Sequence, residues 1–399
     1  MKWEKVSIKN ICKYITSGGT PRTSVNSYYT PPVIPWLKTK EVNYCRIYET
    51  ESHISQDGLE NSSAKLIPEN SVIVAMYGQG DTAGRVAINK IPLATNQACC
   101  NLVIDSDKAD YEFVYYALSN TYEKLVSLKN GGAQPNLNVQ IICNFQIPFP
   151  SLENQHKISE ILSAYDNLIE NNQKQIKLLE EAAQRLYKEW FVDLRFPGYE
   201  TTPVVDGVPE GWEQRSLGET ASILRRGISP KYDDNGKYLV ISQKCIRQSI
   251  MDISEARRES KEYTLELNLL DKDTVICSTG TGTLGRVGQI FGAYPDTTFD
   301  SHVTLVRMEE YQNFIYQSIK SQQKFLMGMG RGSTNQQELY RGVIENLQIL
   351  TPTQEILNRA ESLFSAIHDK ITALNSQISL LVEARDRLLP KLMSGELEV

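Results

Sequence analysis

Residues 152–190 read LENQHKISEILSAYDNLIENNQKQIKLLEEAAQRLYKEW, and this stretch decides the fold. Its apolar positions alternate spacings of four and three, which is the 3.5-residue period of a coiled-coil helix. The same register returns 202 residues later without a gap. The positions in the two segments are Ile158, Leu162, Tyr165, Ile169, Asn172, Ile176, Leu179, Ala183, Leu186 and Trp190, and Ala360, Phe364, Ile367, Ile371, Leu374, Ile378, Leu381, Arg385, Leu388 and Leu392. At 1.5 Å per residue, ~40 residues make a helical rod of roughly 60 Å.

The repeat extends beyond the rods to the whole chain. Stretches of the first half find counterparts in the second half at similar offsets, including the start of each half and a glycine-rich turn. The paired stretches are KWEKVSIKNICKYITSGGTP (2–21) with GWEQRSLGETASILRRGISP (211–230), WLKTKE (36–41) with VISQKC (240–245), and VAMYGQGDTAGRV (74–86) with CSTGTGTLGRV (277–287). Two similar globular halves, each followed by a rod, are therefore predicted.

This organisation predicts an α+β fold. Each half mixes short strands such as VIVAMY and TVICST with a helix, YEFVYYALSN or NFIYQSIKSQ. Two repeated mixed α/β domains are expected, separated by two long helices that form an antiparallel coiled coil with an intramolecular pseudo-twofold. The predicted divisions are a first domain (1–150), a first helix (151–194), a linker (195–210), a second domain (211–351), and a second helix with a C-terminal tail (352–399).

Two residues of the rods call for separate interpretation. Asn172 occupies a seam position, where a buried amide fixes the register of paired helices at some cost in stability. The alternative is that Asn172 lies at a helix-crossing edge exposed to water. Pro390 should end or kink the second helix near its last turn, because proline cannot donate the helical hydrogen bond.

Composition excludes several classes of protein. With 399 residues, 41% apolar and 23% charged, the chain is an ordinary globular protein with room for two or three domains. It has no signal-like start and no apolar run near the ~18 residues of a membrane span, so a cytoplasmic protein without a membrane role is expected. Seven cysteines without a C-x-x-C motif predict reduced, mostly buried thiols, and four scattered histidines make zinc improbable.

The turn GTGTLG (280–285) fits G-x-G-x-x-G, the pattern of a dinucleotide-binding loop. That loop requires a helix directly after it, whereas RVGQIFGAY indicates a second strand. The twin GQGDTAG in the first half breaks the spacing by one residue. We interpret both turns as structural hairpins, in which Arg85 and Arg286 meet either a phosphate or a nearby carboxylate.

Two similar domains at a fixed distance suit duplex DNA, whose major-groove faces recur every helical turn of ~34 Å. Because the halves differ in sequence, the two parts of the recognised site should differ. Basic and amide side chains in predicted loops and at strand ends are candidates for phosphate and base contacts, although each could also be an ordinary solvated residue. The candidates are Thr20, Arg22, Lys38, Thr39, Lys40, Gln79, Arg85, Gln134, Asn136, Arg225, Arg226, Lys231, Gln243, Lys244, Thr281, Arg286, Arg331, Asn335 and Gln336. The net charge of −6 argues mildly against a lone DNA binder, which partner subunits could offset.

No catalytic motif is convincing. The chain has neither an N-P-P-Y-like motif of amino-methyltransferases nor a G-x-x-x-x-G-K-[ST] loop. A nuclease site could be formed by Glu259 and Lys261 with Asp252, but that triplet sits in the charged run SEARRESKE (254–262), which we expect to be a solvated helix. The chain is therefore predicted to be non-catalytic.

The order of segments resembles the specificity subunit of Type I restriction-modification enzymes over essentially the whole chain. The stretches that carry the resemblance are SGGTP (17–21), GGAQPNLN (131–138), FPSLENQHKISEIL (149–162) and LLPKLMSGEL (388–397). In the second half RGSTNQQE (331–338) stands in place of the loop GAQPNLN and departs from the family's pattern there. The resemblance implies two target recognition domains that read double-stranded DNA at a bipartite site across an unread spacer.

The same resemblance implies the partners. The rods would set the spacer and dock two methyltransferase subunits, and restriction subunits would join for cleavage. S-adenosylmethionine, ATP and Mg²⁺ would then belong to those partners, with no cofactor bound by this chain. Two other hypotheses stay open: a coiled-coil adaptor that assembles proteins without reading DNA, and an enzyme that uses a dinucleotide.

Overall fold

The structure is a computed structural model that describes most of the chain. The described residues are 3–130, 135–247, 250–260, 267–280, 282–330 and 337–399. The candidates outside these ranges are Gln134, Thr281, Arg331, Asn335 and Gln336. The chain divides into two compact units, Met1–Ile169 with Leu380–Val399, and Glu170–Ser379. Unit 1 and unit 2 therefore each contain one globular half and parts of both long helices.

Unit 1 contains a five-stranded sheet in the order β2-β10-β7-β8-β4, a four-stranded sheet in the order β5-β3-β9-β6, and the pair β1-β11. The strands are β1 Lys5–Ser7, β2 Cys12–Ser17, β3 Ile34–Leu37, β4 Cys45–Ile47, β5 His53–Ile54, β6 Leu66–Ile67, β7 Val72–Ala75, β8 Val86–Asn89, β9 Leu93–Thr95, β10 Cys99–Ile104 and β11 Gln146–Pro148. The helices are α1 Gln56–Glu60, α2 Tyr111–Asn120, α3 Tyr122–Val126, α4 Val139–Asn144 and the long α5 Leu152–Tyr187, which continues into unit 2. Strands β7 and β10 are buried along their full length, as their apolar runs predict.

Unit 2 repeats this plan with a sheet in the order β15-β23-β20-β21, a sheet in the order β19-β16-β22, and the pairs β14-β24, β17-β18 and β12-β13. The strands are β12 Val204–Val205, β13 Val208–Pro209, β14 Glu213–Ser216, β15 Ile223–Arg226, β16 Tyr238–Ile241, β17 Ile246–Arg247, β18 Ile250–Met251, β19 Arg257–Glu259, β20 Thr274–Cys277, β21 Val287–Gln289, β22 Thr297–Phe299, β23 Val303–Arg307 and β24 Gln348–Thr351. The helices are α6 Leu217–Thr220, α7 Gln312–Ser321, α8 Gln323–Gly328, α9 Arg341–Glu345 and the long α10 Gln354–Ser394. Helices α2 and α7 confirm the two predicted domain helices.

Matching backbone hydrogen bonds confirm the internal repeat. Gly18 N donates to Cys99 O at 3.2 Å, and Gly227 N donates to Val303 O at 3.0 Å. In the same way, Asn96 N donates to Leu37 O at 2.9 Å, and its counterpart Asp300 N donates to Ile241 O at 3.0 Å. The same backbone hydrogen bonds therefore occur in both halves. The two halves share a backbone fold, and they differ in the side chains that this backbone carries.

In each unit the domain helix packs on the long helices. One core cluster of unit 1 contains Phe113 and Leu118 of α2 with Ile158, Leu162 and Leu392. The corresponding cluster of unit 2 contains Phe314 and Ile319 of α7 with residues of both long helices, namely Ala183, Ala360 and Phe364. Burial of these apolar faces stabilises each domain against its part of the helical pair.

The heptad positions behave as predicted, because each of the twenty is buried or half-buried. Asn172 is only 6% exposed, and its Nδ2 donates to Gln377 Oε1 at 3.3 Å within unit 2. The alternative of a water-exposed Asn172 is therefore wrong. Helix α10 also continues through Pro390 to Ser394, so the alternative in which this proline ends the helix is wrong, while a kink at Pro390 stays a prediction.

Two further expectations need correction. Residues 254–262 were expected to form a solvated helix, but a short 3-10 turn (Ile253–Glu255) leads into β19, where Glu259 is fully buried. Arg225 and Arg226 lie on strand β15 and not in a loop, because β15 pairs along its length with β23. The residues predicted as the linker, 195–210, contain the hairpin β12-β13, and Phe196 packs on Trp212 with ring centroids 4.6 Å apart. The bounds of the linker stay a prediction.

Candidate functional site

In unit 1, the end of strand β3 and the SGGTP segment form one surface. Trp36 Nε1 donates to Gly19 O at 3.1 Å, and the ammonium of Lys38 lies 5.2 Å from the centroid of the Trp36 ring. A Cβ on Gly18 would lie 2.2 Å from the backbone O of Thr95, at the end of β9, and a Cβ on Gly19 would lie 2.2 Å from the backbone C of Ser63. Glycine at both positions therefore brings the candidate Lys38 next to the segment that carries Thr20.

The other candidate residues of this region differ in their exposure and in the partners that they already have. The Thr20 hydroxyl is exposed and bonds Gln97, and the exposed Lys40 ammonium pairs with Glu51. Arg22 is exposed on the following segment, and Thr39 is half-buried in a 3-10 turn, Thr39–Glu41. Exposed ion pairs of this kind contribute little to stability, so Lys40 can exchange its partner for a phosphate at small cost.

The two glycine-rich turns are hairpins, as predicted. In the first hairpin, Ala75 N donates to Arg85 O at 2.9 Å and Gly84 N donates to Ala75 O at 2.8 Å. In the second hairpin, Cys277 N donates to Arg286 O at 2.9 Å and Gly285 N donates to Cys277 O at 2.8 Å. Gly84 and Gly285 have φ of +93° and +72°, which favours glycine. Strand β21 follows the second turn directly, so the helix N-terminus that a pyrophosphate needs is not there.

The two arginines of these hairpins have different partners. Arg85 donates to Asp81 Oδ1 at 2.6 Å and to Asn43 Oδ1 at 2.8 Å, and its guanidinium holds the pKa of Asp81 below its usual value. Arg85 thus meets a nearby carboxylate, which was one of the two alternatives. Arg286 donates weakly to Ile246 O at 3.4 Å and is half-buried. Only Arg286 of this pair is therefore without a carboxylate partner among the described residues.

A groove of about 600 Å³ lies beside the first hairpin. It is lined by Tyr77, Gly78, Gln79, Gly80, Ala83, Lys129, Pro135 and Asn136. The structure therefore brings the candidates Gln79 and Asn136 together, and it adds Tyr77 and Lys129, which the sequence reasoning missed. Lys129 follows helix α3, and its position as a basic residue just before GGAQPNLN was an available signal. The backbone of Asn136 is fixed by two hydrogen bonds with Asn130, of 2.9 and 3.1 Å.

In unit 2, the end of strand β16 contacts the second hairpin. Gln243 Oε1 accepts hydrogen bonds from the hydroxyls of Thr283 at 3.1 Å and Thr279 at 3.4 Å. With its oxygen engaged in this way, the amide nitrogen of Gln243 can donate to an acceptor outside the protein. The chemistry available at this position is therefore donation to a purine N7, a carbonyl oxygen of a base, or a phosphate.

A second groove, of about 440 Å³, lies next to Gln243. It is lined by Tyr232, Val240, Ser242, Gln243, Lys244, Ser254, Glu255, Ala256, Arg257, Asp300 and His302. The guanidinium of Arg257 lies 3.8 Å from the centroid of the Tyr232 ring. Burial raises the pKa of Asp300, against the effect of His302 N, which donates to its Oδ1 at 2.9 Å. The groove therefore offers both donors and acceptors.

His302 is the main residue that sequence reasoning missed here. Its Nδ1 lies 2.5 Å from the Thr279 hydroxyl, so it belongs to the same network as Gln243. No signal was available in the repeat, because the equivalent residue of the first half is Ala98. That equivalence follows from the bonds of Met76 N with Ala98 O and of Ser278 N with His302 O, which are both 2.8 Å.

The remaining basic candidates of unit 2 are partly engaged. Arg226 forms an ion pair with Glu338 and bonds Ser301 O through its Nε. Arg225 is exposed on β15, and Lys231 is exposed, with its backbone N donating to Glu259 Oε2 at 2.8 Å. Arg225 and Lys231 thus present charge at the surface, while Arg226 anchors the segment around residue 338.

The residues considered for catalysis are not assembled into a site. Asp252 caps the 3-10 turn by accepting Ser254 N, and it lies 3.6 Å from Arg247. Glu259 is buried and accepts the backbone N of Lys231. Lys261 lies outside the described residues. In the described part of the chain, no group of three or more histidine, cysteine or acidic side chains could hold a metal ion. All seven cysteines are free and five of them are buried, as expected for reduced thiols. None of the described helices is both long and apolar enough to cross a membrane.

Comparison with known proteins gives one consistent result. A family model described as Type I restriction modification DNA specificity domain matches residues 1–181 and 209–384. The MjaIX specificity subunit of Methanocaldococcus jannaschii is 29% identical over 100% of this chain and 94% of that protein. The HindI specificity subunit of Haemophilus influenzae is 23% identical over 99% of each. A crystal structure of the S subunit of a Type-I restriction-modification system from M. genitalium matches 98% of this chain and 96% of that chain, with a TM-score of 0.57 and 17% identity.

Proposed function

This chain belongs to the family of Type I restriction-modification DNA specificity proteins, and from that membership we propose that it is the sequence-specific DNA-binding subunit of such a system. The observation that carries the proposal is that the family model matches each repeated half of the chain, 1–181 and 209–384. Two copies of a DNA specificity domain in one chain suit a site with two separately read parts.

The proposed site is asymmetric, because equivalent positions of the two domains carry different side chains. The ends of β3 and β16 are equivalent, and there Lys38 and Thr39 stand opposite Ser242 and Gln243. Lysine donates to guanine, whereas Gln243 presents an amide whose oxygen already accepts from two threonines. In this proposal the two domains therefore read different bases. The exposed Lys231 and Arg225 contribute phosphate contacts that position the second domain on the duplex.

The proposal includes a scaffolding role for the long helices. The heptads and the contacts Asp166–Arg385 in unit 1 and Asn172–Gln377 in unit 2 support an antiparallel coiled coil, and the repeat supports an intramolecular pseudo-twofold. Such helices would fix the spacer between the two half-sites and dock two methyltransferase subunits, to which restriction subunits are added. S-adenosylmethionine, ATP and Mg²⁺ would bind to those partners, and this chain would act in the cytoplasm as a non-catalytic subunit.

An exchange of one domain tests the proposal. Residues 1–150 are replaced by the corresponding residues of another specificity subunit, and the methylated sequence is determined after reconstitution with methyltransferase subunits. We expect one half of the recognised site to change while the other half and the spacer stay the same. An unchanged site would refute DNA reading by the first domain.

A matched single substitution assigns the second domain. Gln243→Glu replaces the amide donor by a carboxylate. It should lower methylation of the original site by weakening recognition of only one half of that site. Gln173→Glu on the exposed face of α5 is the control. Binding of the reconstituted complex to duplexes at increasing salt is measured in parallel. If no duplex is preferred and binding shows no dependence on salt, the chain is a coiled-coil adaptor without a DNA-reading role.

A further inference from the structure

In unit 1 a charged clamp joins the domain helix to both long helices. Asp166 of α5 accepts the hydroxyl of Tyr116 of α2 at 2.5 Å through Oδ2, and it accepts Arg385 of α10 at 2.6 Å through Oδ1. The side chains of Asp166 and Arg385 are only 12% and 24% exposed. Three elements therefore meet at one carboxylate.

The repeat places three different residues at the equivalent positions of unit 2. At the offset of 202, His368 corresponds to Asp166 and Ala183 corresponds to Arg385. Gln317 is the sixth residue of α7, as Tyr116 is the sixth residue of α2. Ala183, Gln317 and His368 all line one small, partly enclosed cavity of about 10 Å³, which has room for one water molecule. The missing arginine side chain thus leaves a space at the position of the clamp.

The polar atoms around this cavity call for hydrogen-bond donors. His368 is 2% exposed, and its Nε2 lies 2.9 Å from Asp271 Oδ1. A carboxylate only accepts, so the proton of the neutral ring is on Nε2 and Nδ1 is an acceptor. His368 Nδ1 and Gln317 Oε1 are both buried without a hydrogen-bond partner. Two buried acceptors without donors are costly, and such groups are generally satisfied by ordered water.

We propose that one ordered water molecule occupies this cavity and donates its two protons to His368 Nδ1 and Gln317 Oε1. The volume matches a single water, and water supplies the two donors that Tyr116 and Arg385 supply in unit 1. Phe291, which also lines the cavity, stacks on His368 with ring centroids 4.8 Å apart and holds the imidazole in place. At this position domain 2 therefore contacts the long helices through a water-filled polar site, whereas the equivalent position of domain 1 carries an ion pair.

A crystal structure of the full chain, at a resolution that shows ordered water, tests the proposal directly. We expect one water peak within hydrogen-bond distance of His368 Nδ1 and Gln317 Oε1. Empty density in the cavity, a metal ion, or a direct hydrogen bond between the side chains of Gln317 and His368 would overturn it.

A substitution provides an independent test in solution. Gln317→Met keeps the length of the side chain and removes the acceptor, so it should lower the urea midpoint of unfolding if a water is bound there. If the cavity is dry, the same change removes an unsatisfied buried acceptor, and the midpoint should rise, which contradicts the proposal. Gln173→Met on the exposed face of α5 is the matched control and should leave the midpoint unchanged.

Discussion

Replacing Asp166 by asparagine should destabilise unit 1 by about 2–3 kcal/mol. Breaking a fully buried ion pair costs about 3–5 kcal/mol, because the remaining charge loses its partner, whereas exposed pairs contribute about 0–1 kcal/mol. The pair of Asp166 and Arg385 lies between these limits, since Arg385 is 24% exposed and keeps Asp386 as a second partner at 2.8 Å. Asparagine preserves the shape of the side chain, so the loss reports the charge and the hydrogen bond of Tyr116.

Urea unfolding of the full chain, combined with amide hydrogen exchange of Tyr111–Asn120, measures this effect. The exchange data assign the loss to unit 1, which a single unfolding curve of a chain with two units cannot do. Glu383→Gln is the control, because the Glu383–Arg387 pair is exposed on the same helix α10 and should contribute less than about 0.5 kcal/mol. If Asp166→Asn costs no more than this control, the clamp does not hold domain 1 on the helices.

Three further outcomes are expected in unit 2. Glu361→Ala should destabilise the chain by about 1–2 kcal/mol, measured by urea unfolding, because the carboxylate accepts Phe314 N at 2.8 Å at the start of α7; Glu361→Gln should recover part of the loss. Gly227→Ala should cost at least about 2 kcal/mol in the same assay, since the new Cβ would lie 2.3 Å from Asp300 O; an unchanged midpoint would show that this approach is not tight. Burial lowers the pKa of His368, although Asp271 and Asp369 oppose this shift and Lys272 adds to it. The folded state therefore binds the proton less well than the unfolded state, so stability should be full above a pH of about 6.5 and fall as the pH drops toward the lowered pKa; a pH series of urea midpoints, flattened in His368→Gln, checks this.

The features that sequence could predict are those repeated within the chain or along a helix. The heptads predicted which faces of α5 and α10 are buried, because a 3.5-residue period leaves one face for the core. The similar turns at Gly84 and Gly285 predicted a hairpin in each half. Both turns keep their glycines although the first one lacks the dinucleotide spacing, so a shared backbone conformation explains the glycines.

Other features depend on neighbours that are distant in sequence. The run around Glu259 is charged enough to suggest a solvated helix, yet β16 supplies a pairing partner and buries that residue. Arg225 and Arg226 look like loop residues beside glycine, but β23 holds them in a sheet.

Several residues that line the candidate grooves could not be predicted from the local sequence either. His302 enters the network of Thr279 only through the turn after β22, and the equivalent Ala98 gives no hint of it. Lys129 and Tyr77 line one groove because Leu137 N donates to Met76 O at 3.0 Å, a contact between distant segments that no local pattern encodes. The assignments of all candidate residues to DNA contacts, with Thr20, Arg22 and Lys244 among them, stay predictions.

The most direct test of the account is to map methylated bases on genomic DNA in cells that contain this chain and its methyltransferase partner. The account predicts one consensus with two different specified parts, separated by an unspecified spacer of constant length. A single contiguous or palindromic consensus, or methylation that does not depend on this chain, would contradict the claim that its two domains read DNA.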